Sequence, residues 1–277
     1  MANRVIKKVA VLGSGVMGSR IAAHFAGTGV QVLLLDIQPK DLAADSKMSD
    51  RNKIVNDALA FALKSSPSPV YHKDVAKKIQ TGNFTDHMKD ISGADWIIEV
   101  VVERLDIKQS IFTEVEKYRK PGTLVTSNTS GIPIHLMTEG RSDDFRKHFC
   151  GTHFFNPPRY LRLLEIIPTP DTDPGVVEFL MHYGDLFLGK KTVLCKDTPA
   201  FIANRIGVFG MMAIMNGMDK LQLSIDEIDA LTGPVIGRPK SATFRTADVV
   251  GIDTLVKVAK GVYDNCPNDE ARALFQI

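Results

Sequence analysis

Residues 5–36 constrain this chain most, because one unbroken unit holds an apolar strand, a glycine-rich turn, a helix and a second apolar strand. Positions 5–12 are mostly apolar and β-branched, as expected of a strand buried on both faces of a parallel sheet. Gly13-Ser14-Gly15-Val16-Met17-Gly18 follows. In such a turn the first glycine permits a tight reversal, and the second lets the backbone approach a pyrophosphate. The third allows the helix to pack closely on the sheet. Met17, Ile21, Ala22, Phe25 and Ala26 then fall at helical spacing, and the helix ends near Gly27 or Gly29. Its N-terminal N–H groups and dipole favour phosphate charge. Residues 30–35 read as the second strand, closed by Asp36, an acid placed to accept hydrogen bonds from ribose hydroxyls. A glycine triplet alone is weak evidence, but here strand, helix and terminal acid agree on a dinucleotide site. Ile37-Gln38 offers no arginine to a 2′-phosphate, so the pattern favours NAD over NADP.

Composition sets the outer bounds. A chain of 277 residues has room for two cores. A formal net charge of +2 gives no reason to invoke nucleic acid, which selects a strongly basic face. Three widely spaced cysteines, Cys150, Cys195 and Cys266, do not make a disulfide framework. No apolar run approaches the ~20 residues of a membrane span. Lys7-Lys8 leads into the first strand without a secretory h-region or cleavage site. A cytoplasmic enzyme is the expectation.

Further along, residues 40–79 are charged and helix-prone, with Ile54, Ala58, Phe61 and Ala62 as the apolar stripe, until Ser65-Ser66-Pro67-Ser68-Pro69 breaks the pattern. This excursion is expected to project from the sheet beside the nucleotide. Its Lys47, Arg51, Lys53 and Lys64 either reach phosphates of a second ligand or form a solvated face. Strands are expected at 94–102 and 123–125, the latter running into Ser127-Asn128-Thr129-Ser130, where open α/β sheets place ligands. Further strands follow at 152–155, 161–167 and 192–195, with a helix from about Pro174. Beyond Lys196 the pattern is all-helical. Asp197-Thr198-Pro199 reads as a helix start, and the run Met211, Met212, Met215 and Met218 reads as core or subunit interface. The expected architecture is an α/β, Rossmann-type doubly wound parallel sheet over residues 1–196, followed by a smaller all-helical domain over 197–277.

The stretch 149–165 carries the chemistry. His153 ends an apolar strand against a turn, and Glu165 lies in the next apolar run, the layout of a base and its orienting carboxylate. Oxidising a secondary alcohol removes a proton from oxygen and a hydride from carbon. An imidazole, which ordinarily titrates near 6.5, takes the proton at physiological pH. A carboxylate on the other ring nitrogen fixes the tautomer. NAD accepts the hydride, so the scheme needs no metal. Other readings remain. His148, Cys150 and His153 suggest a metal set, yet His153 falls on the opposite strand face unless Gly151 bulges, and no further Cys/His pair has zinc spacing. A core histidine paired with a carboxylate for structure alone is also possible. Ser127 and Ser130 also fit a turn cap, and His24 reads as a residue of a helix face.

These motifs together resemble the 3-hydroxyacyl-CoA dehydrogenase family. The residues that carry the likeness are the glycine turn, Ser127-Asn128-Thr129-Ser130, Gly151-Thr152-His153-Phe154-Phe155-Asn156-Pro157, Leu163-Leu164-Glu165, and residues 196–205, which read Lys-Asp-Thr-Pro-Ala-Phe-Ile-Ala-Asn-Arg. The resemblance implies His153 as general base and Glu165 as its partner. It places Ser130 at the histidine and the substrate hydroxyl, and Asn204 at the substrate carbonyl. The implied NAD-binding set is Gly13, Ser14, Gly15, Val16, Met17, Gly18, Asp36, Glu103, Lys108, Asn128 and Asn156. Lys64 is the nearest candidate for CoA. The implied reaction converts 3-hydroxyacyl-CoA to 3-oxoacyl-CoA in fatty acid β-oxidation, in a homodimer joined through the helical domain.

Alternatives are a dehydrogenase of another small hydroxy acid, or a nucleotide-binding protein without turnover. The chain departs from the family where Gly237-Arg238-Pro239 is followed late by Phe244, and where it stops at Phe275-Gln276-Ile277 in a helical pattern. That ending suggests a truncated helical domain, or the N-terminal part of a longer protein that also carries an enoyl-CoA hydratase.

Overall fold

The computed structural model describes residues 4–43 and 45–276. These divide into two compact units, Met1–Asp197 and Thr198–Ile277.

The first unit is built on one eight-stranded sheet. Its strands are β1 (Lys8–Leu12), β2 (Gln31–Asp36), β3 (Ile79–Asn83), β4 (Trp96–Glu99), β5 (Leu124–Ser127), β6 (Phe149–Phe154), β7 (Leu163–Pro168) and β8 (Lys191–Leu194). Their spatial order is β3-β2-β1-β4-β5-β6-β7-β8. From β3 to β6 every pairing is parallel; β7 turns antiparallel to β6, and β8 runs parallel to β7. The chain winds outward in one direction from β1 through β2 to β3, and in the other from β4 onward. The carboxyl ends of β1 and β4 therefore flank a topological switch point, where such sheets open a ligand crevice.

Helices cover both faces, which is why the central strands are continuously apolar: Val9 to Leu12 and Leu33 to Leu35 are fully buried. On the face covered by the helix Val16–Gly27, Phe25 packs edge-on to Trp96 at 5.2 Å. The Trp96 indole N–H is satisfied by the Thr126 hydroxyl at 2.9 Å. Elsewhere, Phe112, Phe145 and Phe149 form a three-ring cluster.

Several local expectations change. The first strand begins at Lys8 rather than at residue 5, and Val5 is exposed. Residues 79–83 form a strand that the polar sequence Ile-Gln-Thr-Gly-Asn does not announce. It lies at the sheet edge, where Gln80 is exposed and Thr81 partly so. With β3 in place, the segment between β2 and β3 is a crossover that returns to the sheet instead of projecting from it. Its helix Lys53–Lys64 buries Val55, Leu59 and Ala62; of the expected stripe Ala62 is buried, Ile54 and Ala58 are half-buried, and Phe61 is exposed. Both stripes satisfy helical spacing, and packing against the first helix selects between them. His24 is a buried residue: its Nε2 lies 3.0 Å from the Leu188 carbonyl. Burial, reinforced by the charges of Lys190 and Arg159, lowers its pKa to about 4.

The second unit packs the helices Ala203–Leu221, Ile225–Thr232, Phe244–Val250 and Ile252–Asn265. Its core joins Val208 and Met212 of the long helix to Leu255, Ala259 and Val262 of the last one, with Met211 and Met215 partly buried against them. The helix does not start at Asp197-Thr198-Pro199. Ala200 and Phe201 have φ of 61° and 47°, outside the right-handed helical region, so regular helix waits until Ala203. Ser224 and Glu227 form a reciprocal capping box. Among the described residues no helix is long and apolar enough to cross a membrane.

Candidate active site

The glycine turn is shaped by contacts that admit no side chain at two of its three positions. Gly13 has φ +108°, and a Cβ there would lie 2.5 Å from the Val100 carbonyl oxygen. At Gly18 a Cβ would fall 1.8 Å from the Gly13 carbonyl oxygen, so the helix can start this close to the turn only with glycine. Gly15 differs: a Cβ there would meet nothing within 4 Å. The fold itself does not exclude a side chain there, and the open space is what is expected where a pyrophosphate approaches the backbone. Asp36 closes β2 beside the turn, accepting hydrogen bonds from the Ser14 N–H at 2.6 Å and the Ser14 hydroxyl at 2.5 Å. The donor set, the open space at Gly15 and the acid at the end of β2 fit an NAD cofactor.

A cleft of about 780 Å³ opens along these elements. Gly13, Gly15, Val16, Met17 and Asp36 line one part; Asn128, Ser130, His153 and Asn156 line another. Its apolar walls include Phe84, Val101, Ile107 and Ile111.

Beneath the cleft lies a buried charge cluster. Glu99, at the end of β4, is fully buried, as is Lys108 on the helix Leu105–Tyr118, and their charged groups meet at 2.8 Å. Glu99 also accepts from the Val101 N–H at 2.7 Å and from the Ser127 hydroxyl. Burial dominates its titration and raises its pKa, even against the opposing charge of Lys108. Lys108 also reaches Glu103 at 3.2 Å. Burial works to raise the Glu103 pKa as well, but the Lys108 charge, the Thr129 hydroxyl and the Ser130 N–H outweigh it and hold it below the usual value. Glu103 thereby grips the loop after β5, accepting from the Ser130 and Gly131 N–H groups at 3.1 Å each.

The pairing of β6 with β7 brings together the two groups singled out above. In this antiparallel ladder His153 stands directly opposite Glu165, so both side chains leave the same face of the sheet. The His153 Nδ1–Glu165 Oε2 distance is 2.7 Å, with both residues buried. A carboxylate in this position accepts a hydrogen bond from Nδ1–H and so favours the tautomer in which Nε2 is the acceptor nitrogen. The Cys195 thiol stands beside the pair; burial, together with the neighbouring Glu165 carboxylate, raises its pKa to about 12. Asn128, just beyond β5, accepts the Phe154 N–H at 2.9 Å and so ties the end of β5 to the strand that carries His153. Lys190, also buried, donates to the carbonyl oxygens of Pro158 and Leu161, pinning the turn between β6 and β7 that holds Asn156.

Not every expected residue meets in the cleft. Ser14, Gly18 and Glu103 are not among the residues that line it, and Lys108 lines it while its ammonium is committed to two carboxylates. Lys64 is exposed at the end of its helix, outside the cleft. Of the other basic residues considered for a second ligand, Arg51 pairs with Asp86 and Lys53 with Asp57. Asn204 occupies the first turn of the long helix in the second unit. Glu99 was missed by sequence reasoning, although an acid ending an otherwise apolar strand, Trp96-Ile97-Ile98-Glu99, was a usable signal. Among the described residues no group of three or more His, Cys, Asp or Glu could hold a metal ion.

Fold and cleft define a dinucleotide-binding α/β protein with a histidine–carboxylate pair beside the cofactor groove. Residues 8–198 match the NAD binding domain of 3-hydroxyacyl-CoA dehydrogenase, and residues 201–276 match its C-terminal domain. The chain belongs to the 3-hydroxyacyl-CoA dehydrogenase family. It is 51% identical over 280 residues to a Bacillus subtilis protein named "Probable 3-hydroxyacyl-CoA dehydrogenase", covering 98% of this chain and 35% of that one. A Deinococcus radiodurans protein of the same name is 47% identical over 265 residues, covering 96% of this chain and 75% of that protein. This chain thus spans about a third of the first relative and three quarters of the second. Among solved structures, 3-hydroxybutyryl-CoA dehydrogenase from Escherichia coli superimposes with a TM-score of 0.73 at 27% identity, over 96% of this chain and 54% of that one.

Proposed function

We propose that the chain catalyses NAD-dependent oxidation of (S)-3-hydroxyacyl-CoA to 3-oxoacyl-CoA, within fatty acid β-oxidation. The observation that carries this reading is the His153–Glu165 pair, 2.7 Å apart and lining the cleft that also holds Gly15 and Asp36. His153 Nε2 takes the proton of the substrate hydroxyl, and Glu165 stabilises the imidazolium that results. Ser130 orients that hydroxyl from the loop after β5. Gly15, Asp36, Asn128 and Asn156 hold the cofactor, and the apolar walls exclude water. NAD, when bound, supplies the hydride acceptor.

The experiment is NADH oxidation with acetoacetyl-CoA compared with free acetoacetate. Turnover that depends on the CoA thioester supports the reading. Equal or better turnover with the free acid would replace it with the small-hydroxy-acid alternative. The apolar side chains Ile206 and Phe209, exposed on the long helix of the second unit, support a homodimer, which sedimentation equilibrium would test.

A further inference from the structure

The Lys-Asp-Thr-Pro motif has so far been given no task. Its Asp197 is nearly buried, with a side chain 11% exposed, and it is the last residue of the first unit. Its carboxylate reaches back 63 residues. Oδ1 accepts the Ile134 N–H at 2.8 Å, and Oδ2 accepts the His135 N–H at 3.0 Å. Oδ2 also lies 2.6 Å from the His135 Nδ1.

These amides open the short helix Ile134–Met137, whose N-cap residue is Pro133 and whose first turn has no side-chain cap of its own. Helix starts present N–H groups without internal partners, and proline has no side-chain acceptor to offer. Asp197 supplies that acceptor from the chain segment after β8. At the other end of the same loop, Glu103 holds the Ser130 and Gly131 N–H groups. Ser130 therefore lies in a short segment clamped by two carboxylates. The Ile132 N–H extends the first clamp, donating to the Thr129 hydroxyl at 3.1 Å and to Glu103 at 3.4 Å. Gly131 and Ile132 are both at least partly exposed, so the loop is held by these polar contacts and by Asp197 more than by packing.

We propose that Asp197 is a positioning residue for the reaction: it caps the loop that presents Ser130 and so sets where the serine hydroxyl meets the substrate. This rests on the role given to Ser130 above. Small displacements of an orienting group are enough to slow chemistry strongly.

The test compares Asp197→Ala and Asp197→Asn with wild type, Ser130→Ala and the Ser130→Ala/Asp197→Ala double variant. Asp197→Ala is expected to lower kcat with acetoacetyl-CoA by roughly 10- to 100-fold, with the NADH dissociation constant within about twofold of wild type. Asparagine retains one oxygen for the cap and is expected to recover part of the loss. In the double variant the loss is expected to be no larger than for Ser130→Ala alone, because the anchor acts through the serine. Amide exchange, read by mass spectrometry over residues 132–137, should accelerate in Asp197→Ala while the central strands stay protected. Additive losses in the double variant, or an unchanged kcat in both single Asp197 variants, would overturn the proposal. Unchanged exchange over 132–137 would overturn the anchor itself, and it does so whether or not acetoacetyl-CoA is the substrate. A wild-type protein without turnover overturns the functional reading instead.

Discussion

Replacing Lys108 by methionine strands a carboxylate inside the first unit. Glu99 and Lys108 are 0% and 1% exposed, so neither charge has water to fall back on. Removing one partner of such a buried pair costs about 3–5 kcal/mol. Glu99 keeps two of its bonds, from the Val101 N–H and the Ser127 hydroxyl, which places the expected loss near the lower end, about 3 kcal/mol. For a unit of this size that corresponds to a fall in Tm of roughly 6–12 °C.

The pH dependence gives the argument its sign. Burial already raises the Glu99 pKa in the intact protein, and without the ammonium it rises further. An acid with a raised folded pKa binds more protons in the folded state. The variant's stability is therefore retained below the ordinary glutamate range and falls as pH rises toward the folded pKa, by up to about 1.4 kcal/mol per pH unit. Urea unfolding followed by circular dichroism at pH 5.5 and 7.5 should show a deficit that is smaller at pH 5.5. Adding Glu99→Gln to Lys108→Met should recover much of it, since no charge is then left buried. A deficit below about 1 kcal/mol at pH 7.5, or one that grows on acidification, would refute this account of the cluster.

Three further outcomes follow from the same structure. Gly15→Ala should leave stability within about 1 kcal/mol but lower NADH affinity at least ~10-fold, whereas Gly18→Ala, with its Cβ 1.8 Å from a backbone oxygen, should destabilise the fold itself. Thermal melts with NADH titration separate the two, and equal behaviour of both variants would contradict the assignment of the turn. His24, with a folded pKa of about 4 against an ordinary 6.5, contributes stability that is present above pH 6.5 and lost as pH falls toward 4. His24→Gln should flatten that acid limb, by up to about 1.4 kcal/mol per pH unit, in urea titrations between pH 4.5 and 6.5; an unchanged slope would show that other groups govern it. Finally, a thiol reagent should label Cys266 in the native protein and reach Cys150 and Cys195 only on unfolding, because the latter two are buried and burial raises both their pKa values. Rapid native labelling of Cys195 would contradict the closed surroundings of Glu165.

The sequence was most legible where local pattern and tertiary role coincide. The unit from β1 to β2 is specified by a glycine turn between two apolar runs, and its geometry can be read from residue type alone. The His153–Glu165 pair was legible for a different reason: two apolar runs separated by a proline turn form a hairpin, and a hairpin register sets the two residues face to face. Features made by distant partners were less legible. Edge strand β3 lacks the apolar run that marks a central strand. The buried face of the helix Lys53–Lys64 was decided by its neighbours, not by its own periodicity. Lys108 sits one turn into a helix whose sequence is mostly charged and polar, and only the fold shows that it is buried against Glu99, while Glu103 stays partly exposed. Asp197 looked like the start of a helix, but the left-handed residues Ala200 and Phe201 delay that helix, and the carboxylate caps a turn 63 residues earlier.

The most direct measurement for the central claim is single-turnover NADH oxidation with acetoacetyl-CoA near pH 7, wild type beside His153→Ala, with NADH affinity measured on both. The account predicts a rate lowered by ~10²–10⁴-fold in the variant at unchanged NADH affinity. A variant that turns over at the wild-type rate would contradict the assignment of His153 as the group that moves the proton.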